Sequence, residues 1–211
     1  MNQYIPHDNA TLRALLRQKR ETQDPAERSR GALRIRARLY TWLATQQLHM
    51  QEQGRLEPLI VAGFWSLPEE PELQPLLAKW ALEDNQLTVA LPCIAEPQAP
   101  LVFKTWDPDT PMQDGPYQIA EPAAPATTVT PDIILVPTLG FTRAGDRLGY
   151  GQGYYDRTLA QLRARYHPFV TIGIAWSCGD LSQNDYKPQP HDQPLDSILT
   201  EMGWAKAAPA L

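Results

Sequence analysis

Residues 133–157 read IILVPTLGFTRAGDRLGYGQGYYDR, and this stretch decides the fold. It opens on Ile133-Ile134-Leu135-Val136, four apolar residues in a row, three of them β-branched. A short continuous apolar run predicts a strand buried on both faces, as in a parallel sheet covered by helices. It closes on Tyr154-Tyr155-Asp156-Arg157, the start of a predicted helix with Leu159 and Leu162 facing inward. Between strand and helix, Gly149, Gly151 and Gly153 alternate. Glycine lets the backbone bend freely and approach a ligand closely. The amide N–H groups of such a loop, followed by a helix N-terminus, attract phosphate. Ligands of open α/β sheets bind beyond the carboxyl ends of strands, so this loop is the first candidate site.

Working outward, the same alternation of helix and strand recurs. Asp8 and Asn9 can cap a first helix, with Leu12, Leu15 and Leu16 on its apolar face and Arg13, Arg17 and Arg20 off that stripe. Asp24-Pro25-Ala26-Glu27 is a second start signal, and Ala32, Ile35, Leu39 and Leu43 form the stripe that follows. Residues 59–65 predict a buried strand, and Leu73, Leu76, Leu77, Trp80 and Ala81 a third helix. Residues 87–91 predict another strand, and 101–103 a weaker one. Residues 92–137 hold ten of the 21 prolines and predict a long, mostly extended loop packed over the domain. Residues 169–175 predict one more buried strand. The fold expected is a single α/β domain over residues 1–211. It is a three-layer sandwich with a central, mostly parallel (mixed) sheet and helices on both faces; the order of residues 205–211 is left open.

Composition narrows the function. With 43% hydrophobic and 20% charged residues, intrinsic disorder is excluded. The longest apolar run has seven residues (59–65), against about 20 for a membrane span. The first residues, MNQYIPHDNATLRALLRQKR, lack the apolar core of a secretory signal. Cys93 and Cys178 are the only cysteines, which fits a reducing, cytoplasmic compartment without disulfides. No CxxC or HExxH suggests structural zinc. Net charge is −5, yet residues 1–40 carry nine basic and four acidic residues. A solvated helix face or a small-anion site explains that basic head better than nucleic acid, which the acidic remainder would repel.

The loop is neither a GxGxxG fingerprint, since Tyr154 stands where glycine would be needed, nor a Walker A loop, since no GK[ST] follows. Its neighbours give it chemistry. Arg147 offers a fork for phosphate, Asp156 a hard oxygen ligand for Mg²⁺, and Tyr150, Tyr154 and Tyr155 flat surfaces for a ring. Another carboxylate, Asp192, lies in PHDQPLD (190–196), where a plain surface turn capped by Asp196 is the simpler expectation.

The run RLGYGQGYYDR, preceded by DIILVPTLGF and followed by PHDQPLD, resembles 5-formyltetrahydrofolate cyclo-ligase, also called 5,10-methenyltetrahydrofolate synthetase. The resemblance extends over nearly the whole chain, through LRALLRQKR, DPAER, FWSLPEEPE and GPYQIAEP. It implies a three-layer α/β enzyme that uses ATP and Mg²⁺ to turn 5-formyltetrahydrofolate into 5,10-methenyltetrahydrofolate, binding neither nucleic acid nor membrane and acting as a monomer. On that resemblance Asn9, Arg13 and the loop from Arg147 and Leu148 through Gly149, Tyr150, Gly151, Gln152, Gly153, Tyr154 and Tyr155 hold ATP. Trp65, Glu70, Tyr117 and the loop residues 150–154 meet the folate. Asp156 and Asp192 hold the metal, and Arg147 and Tyr154 act at the reacting atoms. Asn9 stands where a lysine is common in the family, and Tyr150 and Gln152 replace basic residues seen in some members. Plainer roles stand beside these. Trp65 can be simple core, Tyr117 a pin for the proline-rich loop, and Glu70 a cap for the helix near Leu73. A phosphosugar isomerase or CoA-handling enzyme on a similar sheet would need a general base and no ATP hydrolysis. A nucleic-acid module would bind in a steeply salt-dependent way and ignore changes at Gly151.

Overall fold

The computed structural model of the chain describes residues 8–55, 57–83, 85–165, 168–184 and 186–211. In chain order its elements are α1 (Asn9–Glu21), α2 (Pro25–Glu52), β1 (Leu59–Ala62), α3 (Gln74–Glu83), β2 (Leu87–Cys93), β3 (Val102–Thr105), β4 (Met112–Asp114), β5 (Ala120–Pro122), β6 (Thr128–Val129), β7 (Ile133–Pro137), β8 (Gly140–Phe141), β9 (Arg147–Leu148), α4 (Tyr154–Ala164), β10 (Val170–Ile174), β11 (Ser197–Thr200) and β12 (Gly203–Lys206).

Local chemistry explains the helix starts. Asp8 caps α1 by accepting from the amides of Ala10 and Thr11 at 3.0 and 2.9 Å. Asp24 caps α2 through Ala26 N at 3.1 Å, and Pro25 opens the first turn. Asn9 is therefore the first residue of α1, not its cap.

Eight strands form one sheet in the order β12-β11-β10-β7-β1-β2-β3-β6. The five central strands, β11, β10, β7, β1 and β2, are mutually parallel, and β12, β3 and the β3–β6 pair add antiparallel edges. From β1 the chain runs outward through β2, β3 and β6. It then returns to the other side of β1 as β7 and runs outward again. The crevice between the carboxyl ends of β1 and β7 is thus the point where strand order reverses, the usual ligand position in such sheets.

Helices cover both faces. Ile35, Leu39 and Leu43 of α2 and Leu77 and Trp80 of α3 share a core with Val61, Val89, Leu135 and Ile172. Leu159 and Leu162 of α4 pack on the opposite face with Ile134, Val136 and Ile198. α1 belongs to neither layer. Its Leu12 and Leu16 form a separate cluster with Leu139, Leu148 and Leu181, which seats the helix beside the glycine loop. No helix among the described residues is long and apolar enough to cross a membrane.

The structure corrects one expectation and fills in two others. The proline-rich stretch is mostly loop, as expected, but it also carries the β4–β5 hairpin and the edge strand β6. Arg20 is not off the buried stripe of α1 but completes it one turn after Leu16, at 2% exposure. Residues 205 and 206 belong to β12, and the chain beyond folds back on α2. There Trp42 Nε1 donates to Pro209 O at 2.9 Å, and Leu211 N donates to Gln46 Oε1 at 3.1 Å.

Candidate active site

The glycine loop joins β9 to α4. Gly151 and Gly153 take positive φ of 98° and 67°, and Gly153 is the N-cap of α4. Both conformations favour glycine strongly. Behind each glycine lies an arginine. A Cβ on Gly149 would collide with the Arg147 guanidinium, one on Gly153 would sit 2.8 Å from Arg157 Nη1, and one on Gly151 3.3 Å from Arg13 Cζ. The missing side chains let three guanidinium groups lie against the loop backbone. Arg13 Nε donates to Gly149 O and Arg157 Nη2 to Gln152 O, both at 2.9 Å. The Arg157 guanidinium also stands 5.0 Å from the centre of the Tyr154 ring. Arg147 Nε, Arg157 Nε and the Tyr155 hydroxyl are buried without hydrogen-bond partners, three of four such atoms among the described residues. Concentrating unsatisfied groups in one place marks a region organised for something other than stability.

A cavity of about 680 Å³ opens over this loop, well within the size range of small-molecule sites. Its far wall comes from the loop after β1 and from the end of β2 and the residue that follows it: Phe64, Trp65, Leu67, Pro92 and Ile94. Trp65 both lines the cavity and packs edge-on against Trp106, ring centres 6.1 Å apart. Tyr117 stands at the lip, 56% exposed, with its hydroxyl 3.2 Å from Gln152 Oε1 and its ring 6.3 Å from that of Tyr154.

Glu70 lies on the same side and is buried. It does not cap α3, because neither of its bonds goes to an amide of that helix. Its Oε2 instead accepts from Leu67 N at 2.9 Å and its Oε1 from the Tyr150 hydroxyl at 2.5 Å. Burial pushes its carboxyl above the usual 4.5; the bonds from Tyr150 and Leu67 and the Arg20 charge only partly oppose that. Burial likewise raises the Tyr150 and Tyr155 phenols, so both stay protonated near neutral pH.

Asp156 and Asp192 both line the cavity. Asp156 Oδ2 is paired with Arg147 Nη2 at 3.0 Å, and its Oδ1 accepts from Gln193 N at 3.2 Å. Asp192 Oδ2 accepts from Gln189 N at 2.7 Å. No group of three or more metal-ligating side chains is found among the described residues. Two carboxylates nonetheless fit Mg²⁺, which keeps several waters and takes one or two carboxylates together with substrate phosphates.

Of the residues singled out in sequence, Arg13, Trp65, Glu70, Tyr117, the loop from Arg147 to Asp156, and Asp192 line this one cavity. Asn9 does not; it sits one turn before Arg13. Tyr150 faces the cavity with its ring but spends its hydroxyl on Glu70 and Arg20. Sequence reading passed over Arg157 and the buried Glu121, which also line it. Neither carries a local signal: each is an ordinary charge whose placement depends on long-range packing. Of the basic head, Arg13 and Arg17 reach the cavity from α1.

Residues 6–201 match the model of the 5-formyltetrahydrofolate cyclo-ligase family. The chain belongs to that family. Among relatives named 5-formyltetrahydrofolate cyclo-ligase, that of Mycolicibacterium smegmatis is 30% identical over 204 residues, covering 92% of this chain and 94% of the relative. That of Escherichia coli K12 is 26% identical over 192 residues, covering 88% and 96%. The match to the Haemophilus influenzae protein is 38% identical over 104 residues and spans only about half of each chain, 47% of this one and 53% of the relative. The cyclo-ligase fold is shared with a solved 5,10-methenyltetrahydrofolate synthetase from Aquifex aeolicus. That structure has a TM-score of 0.71 at 22% identity, covering 96% of this chain and 95% of the other.

Proposed function

We propose that this chain catalyses the ATP- and Mg²⁺-dependent conversion of 5-formyltetrahydrofolate to 5,10-methenyltetrahydrofolate, releasing ADP and phosphate, as a cytoplasmic monomer. The observation that carries the reading is one cavity with two unlike walls. A glycine loop backed by Arg13, Arg147 and Arg157 faces an aromatic wall with a buried carboxylate. The first suits a triphosphate and the second a flat heterocycle with polar edges.

The chemistry asks for that pairing. A formamide is a poor electrophile, and its oxygen is a poor leaving group. Attack of the formyl oxygen on the γ-phosphorus expels ADP and leaves an imidate-like phosphate. The amine at position 10 then adds to the activated carbon and loses its proton, the C–O bond breaks, and phosphate departs with the oxygen. Positioning and charge neutralisation suffice for such a transfer. Arg147 and the loop amides hold the transferring phosphoryl, and Tyr154, against Arg157, borders the reacting atoms. Glu70 pairs with the polar ring edge, and Trp65 and Tyr117 supply stacking surface. Asp156 and Asp192 would hold Mg²⁺, which neutralises phosphate charge when bound.

The test mixes purified protein with 5-formyltetrahydrofolate, ATP and Mg²⁺ and follows the near-ultraviolet band of the methenyl product. The band is expected only with all three present. A folded protein that binds ATP without forming it acts on another acceptor, and one that binds no ATP overturns the reading.

A further inference from the structure

Arg20 is a charged side chain sealed inside the protein, at 2% exposure. Burying a guanidinium is costly unless its donors are satisfied. Here they converge on the joint between the two walls of the cavity. Nη2 donates to the carbonyls of Thr138 and of Leu139, the latter at 3.2 Å, where the chain leaves β7. Nη1 donates to the Tyr150 hydroxyl at 2.8 Å. That hydroxyl donates in turn to Glu70 Oε1, on the opposite wall. Arg17 covers the Tyr150 ring with its guanidinium 5.6 Å from the ring centre. Arg20 and the Tyr150 phenol thus tie together α1, the end of β7, the glycine loop and the loop after β1.

We propose that Arg20 is a positioning residue of the reaction: it fixes the Tyr150 hydroxyl, which holds the Glu70 carboxylate and the glycine loop as one unit across the cavity. The inference rests on the two-walled reading given above. Arg20 lines no part of the cavity, so it acts through its partners, and Tyr150 is the one among its hydrogen-bond partners that lines the cavity. The arrangement explains why a tyrosine serves in the middle of a phosphate-type loop. Its ring stays in the wall while its hydroxyl reaches behind it. The groups bearing on Glu70 are Tyr150 and Arg20, which favour its charged form, and neighbouring Glu69, which opposes it. Tyr155 feels the Glu70 charge in turn.

The experiment is a double-mutant cycle on the intact chain: Tyr150→Phe, Arg20→Met and the pair, each first checked for a cooperative melt. Arg20→Lys serves as the conservative variant and takes over the cycle should Arg20→Met not fold. kcat/KM for 5-formyltetrahydrofolate is followed across pH, and Kd values for the folate and for ATP are titrated separately. Arg20→Met is expected to lower kcat/KM roughly ten- to a hundredfold in the wild-type background, and less than about threefold once Tyr150 is Phe. The acid limb of the profile moves to higher pH in both single variants, because Glu70 loses a group that favours its charge, and Arg20→Lys restores part of the loss. Equal losses in the two backgrounds, or an acid limb that stays in place, overturn the proposal. If the wild-type chain binds both ligands without turnover, the cyclo-ligase reading fails, and the same cycle on Kd values decides the role of Arg20. If it binds neither, both readings fall.

Discussion

Glu70 shows at the scale of one residue how environment resets chemistry. Its carboxyl titrates above 4.5 because burial penalises the charge. The folded chain therefore holds a proton that the unfolded chain releases. Stability contributed by this group falls as pH rises from about 4.5 through the folded value, then levels off. Glu70→Gln removes that dependence, so the melting temperature of the variant is expected to gain on the wild type over that window. A constant difference between the two melting curves across pH sinks the argument. Asp156 forms a buried pair with Arg147, beside the metal-holding role proposed for it. Asp156→Asn is expected to lower kcat by about 10²–10³ and stability by roughly 1–3 kcal/mol; full activity with Mg²⁺ would remove it from the metal site. Gly149→Ala places a methyl group where the Arg147 guanidinium lies. ATP affinity is expected to drop by at least about tenfold, and unchanged titration curves would show that Arg147 can move aside. Residue types at these positions were legible in sequence, because carboxylates and alternating glycines announce their chemistry. Their partners were not.

Among the elements, α1 links packing to function most directly. Leu12 and Leu16 anchor it to Leu139, Leu148 and Leu181, and that small cluster seats the helix from which Arg13, Arg17 and Arg20 reach. Leu16→Ala leaves a cavity costing about 2–5 kcal/mol and loosens the helix on its seat. It is expected to weaken ATP binding in a chain that still melts cooperatively; wild-type affinity in that variant would mean the arginines are placed without help from the cluster. The helices and the strands β1, β2, β7 and β10 were visible in sequence as caps, stripes and apolar runs, whereas β11, with two apolar residues between Ser197 and Thr200, was not. The strands β4, β5 and β6 were not, since each has only two or three residues. At that length periodicity carries no signal, and surrounding prolines argue for loop. The charge of Arg20 masked its place on the buried stripe, because a buried arginine contradicts the usual reading of polar residues.

Across the whole molecule, topology decides where chemistry is possible. The reversal of strand order beside β1 opens the crevice, and segments separated by well over a hundred residues, such as Arg13 and Gly149, meet there. The end of the chain has the opposite character. Residues 207–211 pack on α2 through Trp42 and Gln46 and line no part of the cavity. Deleting them is expected to leave kcat unchanged while costing roughly 1–3 kcal/mol, from the indole donor left unpaired. That corresponds to a melting temperature lower by about 2–4 °C per kcal/mol at this size. A large loss of activity at full stability would contradict the separation. The sequence by itself determined the α/β class, the order of the main elements and the identity of the glycine loop, because those depend on neighbours a few positions apart. Only the tertiary structure decided that three arginines lie behind three glycines, that Tyr150 turns its hydroxyl to Arg20 and Glu70, and that Asp156 is paired with Arg147. Such contacts join groups far apart in the chain, and nothing in local periodicity encodes which distant charge will be brought to which.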